Sequence, residues 1–295
     1  MYLSIDFEDF HHDFKRSLGI WKSGPIKSDY LWEKYNQINT IYKNSNDKKG
    51  SFGTFFCTAI LAEKEPGLIR RIAEDGHEIA CHYYYHDIME NQNAGDIEKN
   101  LSYAKNLLEE VSGKAVLGFR APNFSINKTN PIQYKIVEKL FKYDSSFFCT
   151  TKKQLNLFKN KMGIKNLEIL PIFSKKFLGR NLRLGGTFLK LFPFLYTKWM
   201  TNKAIENGFV PHIYLHPYEF GTSEGFRIKT SDLHILGNIK SKYWAVRQNQ
   251  WLSFRNESIK HKLKYLLKSH NLKGVLKDSI PDNYMYKQNL NANYY

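Results

Sequence analysis

The 295-residue chain holds only three cysteines, Cys57, Cys81 and Cys149, and no CxxC pair. They cannot all pair with one another, so the pattern suits a reducing compartment and not a disulfide scaffold. No apolar run approaches the roughly 20 residues that span a bilayer, and no charged leader followed by a short apolar stretch opens the sequence. Tandem repeats and low-complexity linkers are also missing. These absences lead to the expectation of a cytoplasmic protein, or one held peripherally at the inner face of the membrane. Acidic residues are scarce, 28 Asp and Glu against 44 Lys and Arg, for a formal charge of +16. Such an excess suits an anionic partner. The basic residues are nevertheless scattered in short groups such as KNKMGIK and IKHKLKYLLK, the latter a solvated helix face backed by Leu263, Leu266 and Leu267. No specific nucleic-acid role is expected, and no protein partner can be inferred.

What the chain does have is alternation. YLSIDF, TFFC, HEIACH, VLGFRAP, LEILPI and HIYLH read as strands. Between them DYLWEKYNQINTIYK, PGLIRRIAEDG, GDIEKNLSYAKNLLEEVSG and NPIQYKIVEKLF read as helices, with further helices near 190–207 and 256–269. Strand, helix, strand in succession predicts mostly parallel pairing with helices outside, and such sheets bind ligands beyond the carboxyl ends of their strands. The titratable residues fall there. Asp6, Glu8 and Asp9 follow the first strand, His82 and His86 follow HEIAC, Arg120 follows VLGF, and His216 follows HIYL.

In CHYYYHD the two histidines are four apart, so a helical turn would put both imidazoles on one side. With a carboxylate they suit zinc or a similar divalent ion, at roughly 2.0–2.2 Å per bond. Cys81 alternates to the opposite face and reads as a core thiol. His11 and His12 could assist at the site or cap the loop. In LGGTFLKLFPF a Gly pair permits close backbone approach and Phe188 could stack on a substrate, which makes Gly186 and Phe188 candidate substrate-pocket residues, and the segment reads equally as a core turn leading into a helix.

The segments SIDFEDF, GTFFCTAILAEKEPGLIRRIAEDGHEIACHYYYHD, GFRAPNFSI, KYDSS and IYLHPYEF occur in the order of the motifs of polysaccharide deacetylases. The chain thus resembles the NodB-homology class of carbohydrate esterases, and RLGGTFLKLFPF before PHIYLHPYEF resembles the subgroup of bacterial exopolysaccharide and surface-glycan loci. The resemblance implies a distorted (β/α)7 barrel, expected over residues 1–280 as one domain, with a C-terminal tail at 281–295. It implies a metal-dependent hydrolase that removes N-acetyl groups from amino sugars of a surface polysaccharide or its precursor. Asp6 matches the general base, Arg120 the arginine that orients it, and His216 the histidine that protonates the leaving amine. His82 and His86 match the metal histidines. Glu8 falls at the metal carboxylate if the strand continues and Asp6 and Glu8 share a face; Asp9 takes that place if an adjacent-acid pattern is imposed. A hydrolase for another amide, such as a cyclic imide or ureide, and a non-catalytic glycan-binding relative are the alternatives.

Overall fold

A computed structural model describes residues 1–21, 28–44, 51–177, 179–221 and 224–281. Seven strands make one parallel sheet: β1 (Tyr2–Phe7), β2 (Thr54–Cys57), β3 (Glu78–Cys81), β4 (Gly118–Phe119), β5 (Tyr143–Asp144), β7 (Glu168–Ile169) and β10 (His212–Leu215). Their order is β10-β1-β2-β3-β4-β5-β7, a curled half-barrel surrounded by helices and left open between β7 and β10 among the described residues. This is the expected distorted (β/α)7 barrel. β1 lies between β10 and β2, which explains why Leu3, Ile5 and Phe7 on one face and Ser4 and Asp6 on the other are all buried.

A smaller sheet holds β6 (Phe148–Cys149), β8 (Ile172–Phe177) and β9 (Arg180–Arg183), with β8 and β9 antiparallel. The segment LEILPI is therefore not one strand. Pro171, which has no N–H for a ladder, separates β7 from β8.

Helices connect the parallel strands. The helix Ala94–Ser112 begins at Asn93, whose side chain accepts the Asp96 N–H, and buries Ile97, Leu101, Ala104 and Leu108 at a three- and four-residue spacing. The helices Asp29–Lys43, Pro66–Glu74, Ile132–Leu140 and Asn256–Ser269 agree with the sequence pattern. Where one helix was expected near 190–207 there are two, Gly186–Leu191 and Phe194–Glu206, divided at Pro193. The helices Lys152–Met162 and Asn238–Ser253 had not been anticipated. No helix among the described residues is long and apolar enough to cross a membrane. The expected tail lies, from residue 282 onward, outside the described residues.

Candidate metal and catalytic site

Strand register brings the polar residues together. Phe7, Cys57, Cys81, Phe119 and Asp144 are level across β1 to β5. The residues that follow them, Glu8, Thr58, His82, Arg120 and Ser145, therefore share one rim. Ile5 is level with Leu215, which sets His216 beside Asp6 on the adjacent strand. Asp6, Glu8, His82, His86 and His216 all face a cleft of about 1200 Å³.

Glu8, His82 and His86 form one cluster whose donor atoms all lie within 4.8 Å of one another. The Nδ1 of His82 bonds to the Arg120 carbonyl at 2.7 Å. Nδ1–H is consequently the donor, and Nε2 is the nitrogen that faces Glu8 Oε2, at 3.6 Å. His86 is not brought back by a helical turn, as its spacing predicted. The chain bends through Tyr83 at φ 69°, and the two imidazole centroids come to 5.2 Å. His86 Nε2 then lies 2.9 Å from Glu8 Oε2. Burial alone would raise the Glu8 carboxyl, but the imidazoles of His86 and His82 reverse this and hold it well below the usual range. Glu8 Oε2 is buried without a well-formed hydrogen bond. A buried carboxylate oxygen facing two imidazole nitrogens fits a divalent cation, and one N₂O donor set with an open side is the pattern of a catalytic zinc site.

Asp9 is turned to other work. It caps the helix Phe10–Ser17 by accepting the His11 N–H at 3.0 Å, and it accepts the Tyr30 hydroxyl. The structure thus brings Glu8, and not Asp9, to the imidazoles. Burial pushes the Asp9 carboxyl up to about 6.

A second constellation adjoins the first. Arg120 is fully buried and its Nη1 donates to Asp6 and, at 3.0 Å, to Ser4 Oγ. Nη2 donates to Ser145 Oγ at 2.9 Å, and the guanidinium lies 4.0 Å over the Phe56 ring. With so many fixed partners Arg120 has one orientation, and it holds Asp6 in one orientation too. His216 Nε2 is 4.0 Å from Asp6 Oδ2. Its Nδ1 bonds to Glu219 Oε2 at 3.0 Å, and its backbone N–H donates to the same oxygen at 2.9 Å. Burial would lower the imidazole, but the bond and charge of Glu219, with the charges of Glu8 and Asp6, raise it to about 9. Glu219 is the residue that sequence reasoning missed. Its only signal was an acid three places after the histidine in HPYE.

Other expectations change. Gly186 and Phe188 do not line the cleft; Thr187, between them, does. The Gly pair approaches β10, not a ligand, and Phe188 packs on Phe192 with centroids 5.8 Å apart. His11 and His12 are buried on the helix Phe10–Ser17, and His12 packs against Trp21 and Tyr85. The tyrosines between His82 and His86 turn away from the cleft: Tyr83 donates to Gln92 at 2.7 Å, Tyr84 to Glu63, and Tyr85 lies under Arg16. Cys81 is a buried core thiol, raised by burial to about 12.

Residues 39–137 match the polysaccharide deacetylase family, and residues 145–273 match a domain of unknown function (DUF3473). A bifunctional xylanase/deacetylase of Pseudobutyrivibrio xylanivorans is 32% identical over 62 residues, which is 21% of this chain and 10% of that protein. The peptidoglycan-N-acetylmuramic acid deacetylase of Bacillus subtilis is 31% identical over 62 residues, 21% of this chain and 24% of that protein. The likeness thus spans at most about a quarter of the length of these curated relatives. Among solved structures, a CE4 family pseudoenzyme from Bacillus anthracis aligns with 95% of this chain and 65% of its own, at 11% identity and a TM-score of 0.47.

Proposed function

Residues 39–137 match the polysaccharide deacetylase family, the NodB-homology carbohydrate esterases, and from that premise we propose that the chain is a metal-dependent deacetylase of N-acetylated amino sugars. The observation that carries this reading is the meeting of two constellations in one cleft. Glu8, His82 and His86 form a cation site, and the Asp6 carboxylate and His216 imidazole stand 4.0 Å apart beside it.

Glu8, His82 and His86 would hold the ion, zinc by donor set. When bound it supplies a Lewis acid for the acetyl carbonyl and lowers the pKa of water at the site. The chain's own residues do the rest. Asp6, held by Arg120, accepts a proton from the attacking water as its oxygen bonds to the acetyl carbon. His216 presents Nε2 to the leaving nitrogen because Glu219 engages Nδ1, and it gives up its proton as the C–N bond breaks. Acetic acid and a free amine result; the acid ionises to acetate by losing its proton to solvent, and return of the Asp6 proton to His216 restores the pair.

The natural substrate on this reading is an N-acetylated sugar of a bacterial surface polysaccharide or its precursor. Precursors on nucleotide or lipid carriers are anionic, and a chain at +16 attracts them. An acetate-release screen of nucleotide-linked, lipid-linked and free N-acetylhexosamines, at low and raised salt, tests this. Carrier-linked sugars should react faster at low salt and lose that advantage as screening grows. Equal rates on neutral free sugars at both salt levels would reject the carrier. Hydrolysis of a cyclic imide or ureide with no acetate from any sugar would reject the deacetylase.

A further inference from the structure

Arg183 and Arg247 line the cleft, Arg247 donating from Nη1 to the Tyr243 hydroxyl at 2.9 Å, and Arg120 lies buried behind Asp6. Arg120 spends its donors on Asp6, Ser4 and Ser145. Arg183 stands on the cleft wall, and among the described residues its guanidinium has no carboxylate within 4.0 Å and no hydrogen-bond acceptor. Its Nε is buried and unpartnered. Buried donors are nearly always satisfied, so a buried one left open at a cleft wall marks a place where a partner is missing.

Arg183 is also placed with care. Across the β8–β9 hairpin it is level with Ser174, and its carbonyl accepts the Tyr196 hydroxyl at 2.6 Å. Two residues on, Gly185 has φ +128°, and a Cβ there would lie 2.8 Å from both the backbone N and O of Tyr214. Only glycine lets the end of β9 lie this close to β10. Arg183, Thr187 and Tyr214 all line the cleft there. The guanidinium lies 4.0 Å over the Phe148 ring. From there Phe148, Phe124 and Tyr214 make ring contacts at 4.4 and 4.9 Å, and Tyr214 meets the His216 ring at 6.0 Å. An apolar wall therefore joins the open guanidinium to the leaving-group histidine.

We propose that Arg183 is an anion subsite, which takes a carboxylate or phosphate on the sugar, or at its attachment, whose N-acetyl group lies at Asp6 and His216. The inference deepens the deacetylase reading and rests on it for what enters the cleft. A planar guanidinium, backed by an aromatic ring, offers a fork that matches a carboxylate or phosphate bidentately. The same cleft is lined by Asp6, Glu8 and Asp13. Arg183 thus also decides direction: an anionic sugar enters with its charge toward Arg183 and its acetamide toward the acids.

The test compares methyl N-acetylglucosaminide, its 6-phosphate and N-acetylglucosaminuronate on wild type, Arg183→Gln and Arg183→Lys, each loaded with zinc. In Arg183→Gln the ratio of charged to neutral kcat/KM should fall roughly 10- to 100-fold, the size of a lost charge-assisted hydrogen bond. Whether the phosphate or the uronate suffers more identifies the source of the anion, and Arg183→Lys should recover the phosphate better than the uronate. Calorimetric binding of the same three compounds gives an independent readout. If no acetate is released but charged compounds bind more tightly to wild type than to Arg183→Gln, the subsite stands and the deacetylase reading falls. An unchanged charged-to-neutral ratio together with equal binding overturns the subsite.

Discussion

Replacing Glu219 by Gln tests the division of labour at His216. The Glu219 carboxylate is buried, and one of its oxygens accepts both the Nδ1–H and the backbone N–H of His216, at 3.0 and 2.9 Å. Gln keeps an acceptor in place but removes the charge. A hydrogen bond to a charged group contributes about 1.5–3 kcal/mol and a neutral one about 1 kcal/mol, so the imidazolium loses about 0.5–2 kcal/mol of stabilisation. That is about one pH unit. The imidazole, held at about 9 by these neighbours, should therefore fall toward the value of a free histidine. His216 must carry its proton to protonate the leaving amine, and the protonated form exists below its pKa. Lowering that pKa moves the alkaline fall of kcat/KM to lower pH by about one unit. Acetate release measured from pH 6 to 10 reads this directly. An alkaline limb that stays where it was, or moves upward, would refute the assignment of His216 as the acid and Glu219 as its positioning residue.

Five other substitutions extend the account. Asp6→Asn should retain the ion and lose most turnover, whereas Glu8→Gln should bind it far more weakly; elemental analysis and acetate assays on the same samples decide. Asp9→Ala should keep the ion and lose about 1–2 kcal/mol of stability with the helix cap, and an Asp9 variant that sheds the ion while Glu8→Gln keeps it would reverse the ligand assignment. His77 is buried neutral, its Nδ1 accepting the Gly53 N–H at 3.0 Å, and burial lowers it from 6.5 to about 4. The unfolded chain then binds more protons between those values, so stability present above pH 6.5 is lost as pH falls toward 4, by about 3 kcal/mol. Denaturant unfolding of His77→Gln should show a flatter acid limb than wild type. Gly185→Ala should destabilise by about 1–3 kcal/mol, because its backbone and its contact with Tyr214 both exclude a Cβ; an unchanged melting temperature would contradict that.

The barrel was legible because strands buried on both sides are written as continuous apolar segments, and because long amphipathic helices carry their own period. YLSIDF and DYLWEKYNQINTIYK coincide with β1 and the helix Asp29–Lys43. Side-chain alternation carried one residue beyond β1 was enough to favour Glu8 over Asp9. Other features depended on the third dimension. β5 is a two-residue strand whose identity comes from its neighbours, not from KYDS. The helix Asn238–Ser253 shows no apolar stripe, since Ile239 is 86% exposed while Gln248 and Gln250 face the cleft. The Gly pair signalled close approach correctly, but what it approaches is Tyr214, whose backbone meets Gly185 and whose ring meets Gly186. Glu219 and Arg183 carry no local signature, because each acquires its role only when a turn or a hairpin folds it against the cleft.

The central claim is that one cation site at Glu8, His82 and His86 serves the hydrolysis of an N-acetyl group. It is tested most directly by following acetate release from an N-acetylhexosamine oligosaccharide by NMR before chelation, after exhaustive chelation, and after titration with zinc. The account predicts that acetate release stops when the metal is removed and returns in proportion to zinc, saturating at one ion per chain. Acetate release that continues in metal-free protein, or a chain that binds one zinc and releases no acetate, would contradict it.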